Sequence, residues 1–120
     1  RPHEKLDVWK KAIDMVTLVY EITKQFPSDK DFGLVSQIRR AAVSIPANIA
    51  EGAARQTDRE FNQFLSIAQG SASELETELL ISRNLGYVNS EDFDLVYYEI
   101  NTIARMIIGL SKTVRSRISQ

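Results

Sequence analysis

The chain of 120 residues has no cysteine and one histidine, and these two scarcities remove whole classes of chemistry. Without cysteine there is no disulfide framework, no thiolate nucleophile and no thiolate ligand for a metal. The single histidine, His3, is expected to be a mobile side chain and not a catalytic base or metal ligand, so a nucleophile activated by an imidazole is not expected, and no Glu-x-x-His pair of the di-iron bundles occurs. Long apolar runs are also missing. No stretch approaches the roughly 18 residues that suggest a membrane span, and the opening RPHEKLDVWKK lacks the apolar centre of a signal peptide. A cytoplasmic protein with no membrane partner is expected. Glycine is sparse, and Gly70-Ser71-Ala72-Ser73 lacks both the glycine–lysine spacing of a P-loop and a strand before it. It reads instead as a place of close packing within a helix. No enzymatic activity, cofactor or metal is expected.

What remains is a composition of 43% hydrophobic and 26% charged residues, that of one globular domain over residues 1–120. Apolar residues recur at helical spacing throughout, and no strand pattern competes. The spacing predicts four helices, over approximately 6–26, 31–54, 58–85 and 90–118. In the first, Leu6, Trp9, Ile13, Val16, Tyr20 and Thr23 form the expected core stripe, widened by Ala12 and Val19; Met15, Leu18 and Ile22 make a further row beyond it. Ser28 with Asp31 is the expected cap of the second helix. Thr57 with Glu60 is a capping box for the third, and Gly86 suits the left-handed residue after it. Phe61, Phe64, Leu65, Ala68, Ala72, Leu75 and Leu79 mark the inner face of the third helix, and Glu74, Glu76 and Glu78 read as solvated. Ser90 opens the fourth, where Phe93, Tyr97, Ile100, Ala104, Ile107, Ser111, Val114 and Ile118 keep a period near 3.5. Short connections between long amphipathic helices give an all-α, antiparallel up-down-up-down four-helix bundle.

The second helix carries Pro46 in its interior, within RRAAVSIPANIAEGAAR. Proline there forgoes the bond to the Ala42 carbonyl at a cost of about 3 kcal/mol, so a proline-kinked helix is expected. Small residues surround it, and Gln37, Ser44, Asn48 and Glu51 recur near helical spacing. Two readings stand side by side. In one, the helix bends to fit its own bundle, Ser44 relieves the freed carbonyl and Glu51 pairs with Arg55. In the other, Gln37, Arg40, Ser44, Pro46, Asn48 and Glu51 form a contact surface between copies of the chain. Arg39 and Arg40 are interface or ion-pair candidates, or ordinary solvated arginines.

LDVWKKA, FPSDKDFGLVSQIRRAAVSIPANIAEGAAR and FLSIAQGSASELETEL resemble segments of the small bacterial 23S rRNA intervening-sequence proteins, relatives of the accessory variability proteins of diversity-generating retroelements. The resemblance spans nearly the whole chain. It implies a ring-shaped homopentamer of bundles, with nucleic-acid binding through basic surfaces in some members.

Charge bears on that implication. A net charge of −1 is not that of a dedicated nucleic-acid binder. In the expected bundle, however, one end collects Arg1, Lys5, Lys10, Lys11, Arg55, Arg59, Lys112, Arg115 and Arg117 against Glu4, Asp7, Glu51, Asp58 and Glu60, nine basic residues facing five acidic ones. The other end holds three basic residues against eight acidic. A ring of parallel subunits would gather the positive ends into a rim able to hold RNA or DNA phosphates, with Lys10, Lys11, Arg55, Arg59, Lys112, Arg115 and Arg117 as the binding candidates. Acids at the start and bases at the end of the fourth helix also simply complement its dipole. Trp9 and Tyr20 are expected to be buried and not to stack on bases; Tyr87 and Tyr98 are open to either role. The alternative to nucleic-acid binding is an oligomeric scaffold that takes a protein partner.

Overall fold

The computed structural model describes residues 1–27 and 33–118. After a 3-10 turn at Pro2–Lys5 come four helices: α1 (Asp7–Thr23), α2 (Leu34–Ala53), α3 (Asp58–Asn84) and α4 (Ser90–Ile118). There is no strand among the described residues. The fold is all-α, as the periodicity requires. Helix α1 packs against α2 and α4, and α3 packs against the same two. Along α3, Asp58, Asn62 and Glu76 meet Arg117, Ser111 and Tyr97 of α4, so these two helices run in opposite directions. Ser71 meeting Ser44, and Phe61 and Phe64 meeting Gly52, show the same opposed order for α3 and α2. The molecule measures 50 × 24 × 21 Å.

Local chemistry fixes the helix ends. The Thr57 hydroxyl accepts from the Glu60 amide at 3.1 Å and donates to Glu60 Oε1 at 2.9 Å, holding the first turn of α3. At its other end Gly86 has φ 76°, and the Tyr87 and Gly86 amides return to the Ser82 and Arg83 carbonyls. This is the glycine-terminated Schellman arrangement. The cap of α4 comes from Asn89, whose Oδ1 accepts from the Asp92 amide at 2.7 Å. The expected cap Ser28/Asp31 of α2 lies outside the described residues; α2 is described from Leu34, after Gly33 at φ 132°.

The core is built from Val8, Ala12, Met15, Val19 and Ile22 of α1, Ile38, Ala41, Ala42, Ile45 and Ile49 of α2, Leu65, Ala68, Ala72, Leu75 and Leu79 of α3, and Phe93, Val96, Ile100, Ile103, Ile107 and Val114 of α4. The centre of the α1 stripe is therefore rotated from the expected one. Ile13 is 41% and Tyr20 38% exposed, while Met15 and Ile22, expected to be a further row, lie inside. Two apolar rows run along α1, and period alone does not say which faces the centre. Arg39 of α2 covers the displaced Tyr20: its guanidinium lies 4.4 Å from the ring centroid, and its Nε donates to Thr23 Oγ1 at 3.0 Å.

Three further expectations are corrected. Helix α2 runs unbroken through Pro46, but the Ser44 hydroxyl does not relieve the Ala42 carbonyl; it bonds Ser71 Oγ at 2.8 Å and receives Asn48 Nδ2 at 2.9 Å. Gly70 is not a packing glycine either, since a Cβ there would meet nothing within 4 Å among the described residues, and the same holds for Gly109. Each interior helical glycine costs about 1 kcal/mol relative to alanine. Replacing both by Ala is expected to raise stability by about 1–2 kcal/mol in thermal melts. A loss instead of a gain would place another molecule against those faces.

Glu78 is the third correction, being 8% exposed with an Oε1 that has no hydrogen-bond partner among the described residues. Burial first, and the Glu74 charge second, raise its pKa from 4.5 to about 7. The unfolded chain thus releases this proton near 4.5 and the folded chain near 7, so between them the native state holds the extra proton. Stability falls as pH rises through that window and is lowest above it. Glu78→Gln is expected to flatten the dependence and to stabilise the fold by about 1–2 kcal/mol near pH 8, with little change near pH 4, read from urea titrations at both pH values.

Candidate nucleic-acid interface

The start of α1, the junction of α2 with α3 and the end of α4 share one end of the molecule. Two contacts establish the junctions. Arg117 of α4 grips Asp58 of α3 with Nε to Oδ2 and Nη2 to Oδ1, both at 3.1 Å. The hydrogen bonds to Asp58 push the Arg117 pKa further up. Gly52, near the end of α2, lies so close to Phe61 and Phe64 of α3 that a Cβ would come within 2.7 Å of the Phe64 Cβ. The 3-10 turn packs on both α1 and α2, and since Arg39 near the start of α2 meets Tyr20 and Thr23 at the end of α1, these two helices are opposed and the first residues lie toward the end of α2.

The seven candidate residues divide by what they already hold. Arg55 lies over the Phe64 ring, 4.7 Å from its centroid, and pairs with Glu51 at 3.6 Å. Arg117 holds Asp58. Lys10, Lys11, Arg59, Lys112 and Arg115 are exposed and have no carboxylate within ion-pair distance among the described residues. Of the acidic members of this end, Glu51 is paired with Arg55 and Asp58 with Arg117, and the five carboxylates together offset only part of the nine basic residues gathered there. Unneutralised positive charge therefore remains on a molecule whose total is −1. The side chain of Lys5 lies outside the described residues.

The opposite end has the reverse character. Glu91 and Asp94 are exposed in the first turns of α4, and Glu76 accepts from the Tyr97 hydroxyl at 3.0 Å. That bond is the leading cause of a raised Tyr97 pKa. Arg83 is turned onto the Phe93 ring at 4.5 Å, and Lys24 approaches Glu21 at 3.9 Å. Asp29, Lys30 and Asp31 lie outside the described residues.

The α2 residues read as an interface between copies separate into two sets. Pro46 is buried, and Ser44 and Asn48 are half-buried, bonded to each other and, through Ser44, to Ser71 of α3. Gln37, Arg40 and Glu51 are exposed, as are Val43 and Ala47 of the same helix. Sequence reasoning did not find the crossings that tie these helices together, Ser44 to Ser71 and Asn62 to Ser111, the latter at 2.7 Å. Neither belongs to a periodic signal; both depend on which helices become neighbours. No group of three or more His, Asp or Glu side chains able to hold a metal occurs among the described residues, and no helix there is long and apolar enough to cross a membrane.

Among curated proteins none matches the chain. A crystal structure of a protein with unknown function from the S23 ribosomal protein family of Bacteroides thetaiotaomicron is similar, with a TM-score of 0.81 at 26% identity, covering 88% of this chain and 98% of that one. The family model for the 23S rRNA-intervening sequence protein matches residues 4–109, from the 3-10 turn through most of α4, and the chain belongs to that family.

Proposed function

We infer that this chain is a non-enzymatic bundle that associates with copies of itself and holds RNA or DNA phosphates on its basic end. The observation that carries the reading is the set Lys10, Lys11, Arg59, Lys112 and Arg115, exposed and without carboxylate partners among the described residues, where three chain segments meet. Solvated cations free of internal pairing release condensed counterions when they meet a phosphate backbone, and this favours binding at low salt. Arg55 and Arg117 add to the field at that end while staying tied to Glu51 and Asp58.

Self-association, as a ring of five, supplies what one subunit lacks. One end of a chain with net charge −1 is a weak electrostatic target, and parallel subunits in a ring place several such ends side by side. The exposed row of Gln37, Arg40, Val43, Ala47 and Glu51 on α2, with Val43 42% exposed, is the proposed contact face. Filter binding of an RNA hairpin and a DNA duplex over a salt series tests the reading: binding should weaken about tenfold or more between roughly 50 and 200 mM salt. Absence of binding at the lower salt would refute it. The second reading, a scaffold for a protein partner, is favoured by Leu95 and Tyr98, which are 51% and 63% exposed on α4.

A further inference from the structure

Resting on the reading of the basic end just given, we propose that this end takes double-stranded nucleic acid through its phosphates alone and is blind to base sequence. Proteins that bind single strands combine cations with aromatic rings open to stacking. The rings at this end are occupied. Trp9 is half-buried and carries the His3 ring against it, centroids 4.8 Å apart and planes at 66°. Phe64 is covered by the Arg55 guanidinium, and Phe61 is half-buried against Gly52. The rings that stand open are elsewhere. Tyr98 is 63% exposed two turns into α4, and Tyr87 packs on Phe26 at 5.8 Å in the connection before α4. Glu91, Asp94 and Glu99 flank these positions in the chain, and their charge repels a phosphate backbone.

Reading bases in a duplex groove requires a different shape from the one present. A single helix fits the major groove of B-DNA, about 12 Å wide. The bundle is 24 × 21 Å in cross-section, and Arg117 near the end of α4 is held level with Asp58 at the start of α3, so among the described residues α4 does not project free to enter a groove. Cations spread around a blunt end of this width meet phosphates across a groove and leave base edges unread. Phosphates of a duplex also sit at higher charge density than those of a single strand, which favours the duplex for a site that uses charge only.

The experiment compares the full chain binding four probes of equal length at one low salt concentration: two duplexes of unrelated sequence, a thymine single strand, and the same strand with abasic sites. The expected result is affinities for the two duplexes within about threefold, a weaker single strand, and no difference between the thymine and abasic strands. A preference beyond about tenfold for one duplex sequence, or a clear loss with the abasic strand, would overturn the phosphate-only proposal and leave the basic-end reading intact. Failure of every probe to bind would overturn both.

Discussion

Changing Lys10, Arg59, Lys112 and Arg115 together to Glu is expected to weaken duplex binding by about 10²–10³-fold at low salt and to reduce the slope of log affinity against log salt by about 3 to 4. The size follows from counterion release, which contributes about 0.9 to the slope for each phosphate neutralised. These four are chosen because none is ion-paired among the described residues, so their reversal leaves the bundle's own contacts in place. Arg117 would be a poor choice, since Arg117→Glu sets a carboxylate against Asp58 and perturbs the α3–α4 junction as well. Lys24→Glu, at the acidic end, is the matched control and is expected to leave binding unchanged. Filter binding across a salt series reads both quantities. A fourfold variant that binds as well as the parent, with an unchanged slope, would remove the basic end from the binding surface.

Gly52→Ala is expected to destabilise the fold by about 1–3 kcal/mol, lowering the melting temperature by several degrees. On an open helix surface the same change is favourable by about 1 kcal/mol, so the sign is set by the surroundings. The new Cβ would lie 2.7 Å from the Phe64 Cβ, 3.0 Å from Phe61 Cδ1 and 3.3 Å from the Phe61 carbonyl oxygen. The first contact is with the root of a side chain and the last with backbone, and neither yields by a rotamer change. Helices α2 and α3 must separate instead. Calorimetric melts of Gly52→Ala beside Gly70→Ala would give shifts of opposite sign if this packing is right. A gain for Gly52→Ala as well as for Gly70→Ala would show that the Gly52 contact is not tight.

Much of the fold was legible because helix formation leaves signals that do not depend on distant partners. Thr57 with Glu60 and Gly86 are local in the chain, and both perform as their chemistry requires. Periodicity likewise located the inner faces of α3 and α4. It failed on α1, where the Tyr20 row and the Met15 row are both apolar and only the position of α2, through Arg39, decides between them. It failed again at Glu78, because a carboxylate is assigned to solvent by type, and burial depends on how α3 is rotated against its neighbours. Gly52 and Gly70 look alike in sequence and differ in the structure only because the phenylalanines of the α3 start press on one of them.

At the basic end, residue type alone gathered the cations that the fold brings together, but not the division among them. Arg55 and Arg59 are four positions apart and equally cationic, yet one is tied to Glu51 and Phe64 while the other is unpaired among the described residues. That distinction arises from how α2 and α3 pack. On α2, Ser44 and Asn48 have the same polar character as Gln37 and Glu51, and only the packing of α3 turns the first pair inward toward Ser71.

The proposed placement of a duplex on the basic end is tested directly by acetylating the lysines of the protein with and without duplex and comparing each site by mass spectrometry. Lys10, Lys11 and Lys112 should be protected in the complex, while Lys24 at the acidic end keeps its full reactivity. Protection of Lys24 with Lys10, Lys11 and Lys112 left open would contradict the placement of phosphates on the basic end.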